Sequence, residues 1–126
     1  MFMTKARRGD ISNAAKTIDS SDIERRIEEL NELRDEGEID SDDLAELVAL
    51  EKVASVGRDY CDDWEYGATL IRDSYFTDYA MDFLEECGDI PQNLPSYIVI
   101  DREATAEAIQ QDYTAIDYDG VTYWVR

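Results

Sequence analysis

The side chains of this sequence that could do chemistry are carboxylates, and they are present in large excess. Among 126 residues there are 31 Asp and Glu, 12 Lys and Arg, and no histidine. The commonest general base and metal ligand of proteins is therefore missing. Paired carboxylates can hydrolyse glycosidic bonds, but random pairs are expected among so many acids. We predict that the protein is not an enzyme and uses no cofactor; a carboxylate- or metal-dependent hydrolase is the weak alternative.

Two sequence features could bind a metal ion, but the residue types in them do not suit calcium or zinc. The loop around Gly37 aligns with an EF-hand only if Arg34 takes a ligand position, where a cation opposes calcium. Cys61 and Cys87 have no histidine or further cysteine with which to form a zinc site. Cys87 falls on the apolar stripe of a predicted helix, so we expect a buried thiol. With no apolar run of membrane-spanning length, we expect a reduced protein in the host cytoplasm.

The acids are distributed unevenly along the chain. Residues 1–18 contain four bases and one acid, a local charge of +3, and the remaining residues carry −22. Between Asp59 and Gln111 there are 13 acids and only two bases, Arg72 and Arg102. Ordinary surface helices intersperse both signs in i,i+4 pairs. Solubility or a salt-adapted host is the alternative explanation of the high net charge. The solvated face of an ordinary amphipathic helix, however, does not predict this local shortage of bases.

The charge density is similar to that of duplex DNA. The net charge of −19 equals that of about ten base pairs, or roughly 30 Å of helix axis. A globule of 126 residues has a radius of gyration of about 14 Å, so its diameter is similar to that length of duplex DNA. Because the chain would repel phosphates, we predict no direct nucleic-acid binding. We expect instead a partner protein with a basic DNA-binding groove.

We therefore predict that carboxylates from Asp59 onwards take the place of DNA phosphates. The candidates are Asp59, Asp62, Asp63, Glu65, Asp73, Asp78, Asp82, Glu85, Glu86, Asp89, Asp101, Glu103, Glu107 and Asp112. Trp64, Tyr66 and Tyr75 lie near them in sequence. These rings are either uncharged anchors for the partner or core residues.

The elements that must position these carboxylates begin with two acidic helices. Ser21 and Glu24 have the spacing of a capping box, and apolar residues follow at helical intervals from Ile23. Ser41 is the predicted cap of a second helix that ends near Gly57. The two helices form an antiparallel hairpin.

A helix with a wide apolar stripe and a β-hairpin follow. The stripe extends from Phe76 to Cys87 at helical spacing, and Asp101 caps a further short helix. Asp119-Gly120 favours a two-residue turn, which sets the register of the closing hairpin. The Phe76–Cys87 helix is the predicted cover for the apolar face of that hairpin, which two strands cannot support alone: Ile116, Tyr118, Val121, Tyr123 and Val125.

Together these elements predict a helix-rich α+β fold, with an N-terminal acidic αα-hairpin followed by a small antiparallel sheet and packed short helices. We divide the chain into a flexible basic arm over residues 1–18, an acidic helical hairpin over 19–57, and an α+β domain over 58–126.

An ordered series of segments gives the last part of the chain a family resemblance. The segments are Phe83–Gly88 at the end of an acidic helix, then Ile90–Leu94, Tyr97, Asp101–Ala104, Asp112–Asp117 and Gly120–Arg126. Over residues 73–126 this series resembles the C-terminal part of the ArdA antirestriction proteins. The acidic helices at 21–57 are similar to the middle of some members.

ArdA proteins are carried by phages and mobile elements and imitate bent B-DNA with surface carboxylates. They block Type I restriction-modification enzymes, commonly as dimers. The resemblance implies a homodimer and assigns the phosphate role to Glu85, Glu86, Asp89, Asp101, Glu103, Glu107 and Asp112. The chain departs from the family in being shorter, in its basic arm, and in having Arg102 where an aromatic residue is usual. These departures extend the expected targets to a CRISPR effector.

The sequence thus predicts a DNA-mimic inhibitor of a host defence enzyme, encoded by a phage or mobile element. The alternative is a non-catalytic acidic adaptor or structural protein of a mobile element. That protein would bind through apolar patches, and salt would not weaken its binding.

Overall fold

The strands form one four-stranded antiparallel sheet with helices packed against it, which confirms the predicted α+β fold. A computed structural model describes residues 11–91 and 93–126. Along the chain the elements are β1 (Thr17–Asp19), α1 (Ser20–Asp35), α2 (Ser41–Tyr60), α3 (Trp64–Gly67), β2 (Thr69–Arg72), α4 (Asp73–Cys87), α5 (Arg102–Gln110), β3 (Thr114–Tyr118) and β4 (Val121–Val125). The strand order is β1-β2-β4-β3.

The sheet lies between two pairs of helices. Alternating residues of a strand point to opposite faces of its sheet. Leu70, Tyr123 and Val125 pack with apolar residues of α1 and α2, whereas Ile71 and Trp124 pack with α4 and α5. Three layers result, and the two helix pairs are separated by the sheet.

The predicted cover of the C-terminal hairpin is wrong. Ile116, Tyr118 and Val125 belong to the core formed with α1 and α2. Helix α4 covers the opposite face, where the ring centroids of Phe76 and Trp124 are 6.3 Å apart. Each helix pair has an apolar face, and periodicity along the sequence does not say which side of the sheet that face meets.

The hairpin itself forms as predicted. Asp119 and Gly120 have φ angles of 51° and 82°, the positive values that this two-residue turn requires. The register pairs Tyr118 with Val121, and the pairs beyond it are Asp117–Thr122, Ile116–Tyr123, Ala115–Trp124 and Thr114–Val125.

The caps of the first two helices are aspartates rather than the predicted serines. Asp19 caps α1 by accepting a hydrogen bond from the Ser21 N–H at 2.8 Å. Asp40 likewise caps α2, preceding Ser41, and accepts from the Asp43 N–H at 2.8 Å. A carboxylate at this position also interacts favourably with the helix dipole, which a serine hydroxyl does not.

The end of α2 and the exposure of the last residue of α4 also differ from prediction. Helix α2 continues past Gly57 to Tyr60. In α4 the apolar stripe does not stay covered to its end, and Cys87 is exposed. The buried thiol is that of Cys61, which donates a hydrogen bond to the Arg126 carbonyl at 3.0 Å.

The flexible arm predicted over residues 1–18 is corrected in its second part. Thr17–Asp19 forms an edge strand paired with β2, and the Ala15 carbonyl accepts a hydrogen bond from the Tyr123 hydroxyl at 2.6 Å. Residues 1–10 lie outside the described part of the chain. The proposed division after residue 57 coincides with no gap in packing, because α1 and α2 share a core with β3 and β4.

Candidate partner-binding surface

Several acidic side chains of the helical hairpin α1–α2 are bound by arginines. The buried Arg26 guanidinium donates to both carboxylate oxygens of Glu46, each at 2.9 Å. It also lies 3.3 Å from a Glu29 oxygen and 3.7 Å from an oxygen of the buried Asp43. A buried charge is tolerated only when it is paired in this way. These carboxylates therefore serve the fold.

Glu24 is bound by both an arginine and a tryptophan. Arg58 donates to its two oxygens at 2.9 and 2.6 Å, and the Trp64 indole N–H donates to Oε2 at 2.6 Å. The hydrogen bond from Arg58 is the main reason that the pKa of Glu24 is below its ordinary value, and Trp64 adds to this effect against partial burial. Glu24 thus joins α1, α2 and α3, and it is not the capping-box residue that the sequence predicted.

The fourteen candidate carboxylates lie on other elements and all of them are exposed. Four lie between the last turn of α2 and the end of α3. Six lie on α4 or just after it, and four lie on α5 or beside it. Of these fourteen carboxylates, only Asp78 forms an ion pair with another described residue, at 2.7 Å from Arg102. The acids of this half of the molecule are therefore left almost uncompensated.

Three of the fourteen also have a role in the fold. Asp78 joins α4 to α5 through Arg102. Asp73 accepts a hydrogen bond from the Trp124 indole N–H at 2.9 Å, and Asp101 caps α5 at the Ala104 N–H. For the other eleven, the structure gives no ion pair or side-chain hydrogen bond to another described residue. Those eleven are the carboxylates most available to a partner.

Some of these carboxylates lie where a helix disfavours them. Glu85 and Glu86 are in the last turn of α4 and Glu107 is in the last turn of α5, and neither turn contains a base. The C-terminal end of a helix carries the negative pole of its dipole, so an acid there costs about 0.3–1 kcal/mol. The last turns of α1 and α2 contain Arg34 and Arg58. Folding stability does not explain the acids of α4 and α5.

Helices α4 and α5 pack together and bring their acids to one side of the sheet. Phe76 and Ala80 of α4 share the second core with Ala106 of α5, and the rings of Phe76 and Tyr113 meet edge-on at 5.1 Å. Burial, with a smaller effect of Tyr113, raises the pKa of the Tyr79 hydroxyl. Tyr79 lines a cleft of about 380 Å³ together with Asp63, which connects this side to the carboxylates around α3.

The aromatic residues near the acids divide between the two alternatives that the sequence leaves open. Trp64 is buried at 3% exposure in the main core. Tyr75 is half-buried, with the Lys16 ammonium 5.2 Å above its ring. Tyr66 is 80% exposed. Tyr60, which is not among the aromatic residues predicted to lie near the acids, is also exposed, at 70%. Tyr60 lies beyond the predicted end of α2 near Gly57, and a tyrosine there gives no sequence signal that separates exposure from burial.

An uncharged stretch adjoins the acidic helices. Ile90–Ile100, between α4 and α5, contains no Asp, Glu, Lys or Arg. Its Tyr97 and Val99 side chains are among the most exposed large apolar groups of the described residues. This stretch is the apolar surface that the adaptor alternative requires.

Across residues 11–91 and 93–126, no three His, Cys, Asp or Glu side chains are arranged to hold a metal ion. No helix in those ranges combines the length and apolar character needed to cross a membrane. Comparisons with protein families, curated proteins and solved structures find no match for this chain.

Proposed function

We propose that the protein is a DNA-mimic inhibitor that occupies the basic DNA-binding groove of a host defence enzyme. The observation that carries this proposal is the contrast between the arginine-bound carboxylates within α1 and α2 and the fourteen candidate carboxylates. Several carboxylates of α1 and α2 are held by arginines, whereas the fourteen candidates are exposed and share one ion pair among the described residues. Acids placed against two helix dipoles support the same conclusion.

The mechanism needs no bond-making step. Lysine and arginine side chains that normally contact phosphates would contact carboxylates instead, and both surfaces would release counterions as DNA binding does. A strong negative field also speeds encounter with a basic groove. The inhibitor and duplex DNA would then exclude each other from the same enzyme.

The ArdA resemblance of residues 73–126 supports a particular class of target. A Type I restriction-modification enzyme is the first expectation, and a CRISPR effector is the second. Both act on DNA in the cytoplasm of a host cell that a phage or mobile element must enter. The proposed function therefore includes antirestriction or anti-CRISPR activity.

The test is displacement of DNA from a purified target. A short fluorescent duplex is bound to a Type I restriction-modification enzyme and, in parallel, to a CRISPR effector, and the protein is titrated into each complex. We expect the fluorescence anisotropy to fall to that of free DNA for at least one enzyme, with weaker competition at higher salt. An enzyme that binds duplex and protein together with unchanged affinities contradicts the proposal.

A charge-matched pair of variants makes this test specific to the surface. The test variant neutralises four acids of α4 and its C-terminal end: Asp82→Asn, Glu85→Gln, Glu86→Gln and Asp89→Asn. The control neutralises four exposed acids of the α1 region: Glu28→Gln, Glu32→Gln, Glu36→Gln and Glu38→Gln. Both variants have the same net charge, so only a local role of the α4 surface predicts weaker competition by the first.

The adaptor alternative is favoured by one observation, the exposed Tyr97 and Val99 side chains in the uncharged stretch Ile90–Ile100. An adaptor would bind its partner through this stretch, and added salt would leave binding unchanged or strengthen it. Val99→Asp would then abolish partner binding, whereas the inhibitor proposal predicts that DNA displacement by this variant is retained.

A further inference from the structure

The connection between α2 and α3 displays two exposed aromatic rings among carboxylates. Tyr60 is the last residue of α2, and Tyr66 lies within α3. Between them, Asp62, Asp63 and Glu65 are exposed as well. We name residues 60–66 the aromatic corner. Resting on the function proposed above, we propose that the aromatic corner anchors arginine side chains of the partner's DNA-binding groove, with Tyr60 and Tyr66 as the stacking surfaces.

The aromatic corner is held in place by its two buried residues, Cys61 and Trp64. Cys61 is buried, its N–H donates to the Gly57 carbonyl at 2.9 Å, and its S–H donates to the Arg126 carbonyl. Trp64 is buried, and its indole N–H is held by Glu24. The short chain between these two anchors has little freedom. Its outward side chains are therefore held in place before any partner binds, which lowers the entropy cost of association.

A second set of contacts fixes the far side of the corner. The hydroxyl of the buried Ser20 donates to the Trp64 carbonyl at 2.7 Å and accepts from the Ala68 N–H at 2.6 Å. The Ser20 N–H donates to the Ala68 carbonyl at 2.8 Å. The start of α1 thus binds both ends of α3, and the position of Tyr66 follows from these bonds.

The exposed rings have no role in the packing of the described residues. Tyr60 and Tyr66 belong to neither core and take part in none of the ring contacts within those ranges. Arg58, the nearest cation in sequence, is bound to Glu24. The corner therefore offers π faces and carboxylates without a base of its own to occupy them.

This combination selects for arginine. A guanidinium is planar, stacks on an aromatic face and donates two parallel hydrogen bonds to a carboxylate, whereas an ammonium group does so less well. Aromatic residues held in place are also the usual high-energy contacts of interfaces. Grooves that bind DNA phosphates are rich in arginine. The corner thus supplies affinity of a kind that the charges on α4 and α5 do not.

The test uses two double variants and one matched control in the DNA-displacement assay. Tyr60→Ala with Tyr66→Ala removes both rings, and Tyr60→Phe with Tyr66→Phe keeps them. Tyr97→Ala removes a ring of similar exposure outside the corner. We expect the first variant to compete about ten- to hundredfold less well, and the other two to compete like wild type. Thermal melting checks that all three are folded.

The salt dependence separates this inference from the proposed function. Removing rings leaves the charge unchanged, so the slope of log Kd against log salt should stay that of wild type, while neutralising the α4 acids should reduce it. If wild type displaces DNA and the double alanine variant does so equally well, the inference is overturned and the proposed function stands. If wild type displaces DNA from neither enzyme, both are overturned.

Discussion

The ring of Trp64 lies directly against the α-carbon of Gly57. A β-carbon built at Gly57 would be 2.3 Å from two ring atoms, far inside any real contact distance. The same indole donates its N–H to Glu24 at 2.6 Å. One side chain therefore joins α3 to both helices of the α1–α2 hairpin, and the absence of a side chain at residue 57 makes this possible.

Gly57→Ala should destabilise the protein, although replacing glycine by alanine within a helix normally stabilises it by up to about 1 kcal/mol. The added methyl group displaces the Trp64 ring, and we expect a loss of about 1–3 kcal/mol in the free energy of unfolding. Urea denaturation measures it. Ser55→Ala, at an exposed position of the same helix, is the control and should be neutral or stabilising.

Tyr123→Ala should cost about 3–5 kcal/mol of stability, the range for large aromatic residues in cores. Tyr123 is fully buried, and its hydroxyl donates to the Ala15 carbonyl. Inhibition should fall only in proportion to the unfolded fraction, because the hairpin is not part of the proposed surface. Thermal melting and inhibition titrations are measured together. Normal melting with abolished inhibition would place the hairpin in the binding surface.

Glu24 should contribute stability that is lost in acid. Its folded-state pKa is lowered, mainly by Arg58, so its contribution is present above its unfolded pKa of about 4.3 and declines as the pH falls through the folded value. Glu24→Gln should therefore be most destabilising near neutral pH, and its difference from wild type should shrink below about pH 4. Urea titrations of both proteins from neutral to acid pH measure this difference, and a difference that does not change with pH contradicts the role assigned to Glu24.

Neutralising acids at the end of α4 should stabilise the protein while weakening its binding. Glu85→Gln with Glu86→Gln removes two charges from the negative pole of the helix, and we expect a gain of about 0.6–2 kcal/mol. Asp73→Asn, at the opposite end of α4, loses a favourable dipole interaction and weakens the bond to Trp124, so it should destabilise. Changes in melting temperature of opposite sign in the two variants confirm that the helix dipole acts on these acids. Changes of the same sign contradict it.

Single neutralisations on the acidic surface should have small effects on competition with DNA. Neighbouring carboxylates share the potential, so Glu85→Gln alone should change the affinity about two- to threefold, within the range of exposed ion pairs. The variant with four neutralised acids on α4 should lose much more affinity than the combined effects of the four single substitutions predict. One dominant carboxylate, with the others silent, would indicate a single-pocket mechanism instead of a distributed one.

Local features of this fold are readable from the sequence, and long-range ones are not. The Asp119-Gly120 turn sets its own register, and the capping aspartate of α5 was identified at Asp101, because both depend on a few adjacent residues. The bonds from Arg26 to Glu46 and from Trp64 to Glu24 join residues far apart in sequence. No spacing rule predicts such bonds.

The candidate site shows the same division. All fourteen carboxylates are exposed, as Asp and Glu usually are in folded proteins, so residue type alone predicts their exposure. The difference between acids that are bound by arginine and acids that are not requires the tertiary structure. The exposure of Tyr60 also depends on α2 extending beyond Gly57, a helix end that the sequence placed too early.

The strand order has a consequence for how quickly the chain can fold. Strand β2 pairs with β4 through Ile71 and Trp124, and β4 is an inner strand of the sheet. The helical hairpin can form from local contacts, but the sheet it packs on is incomplete until these distant segments meet. Closing so long a loop carries an entropy cost before any contact compensates it. We therefore expect folding to be slower than for helical bundles of similar size, with the joining of β2 and β4 as the late step.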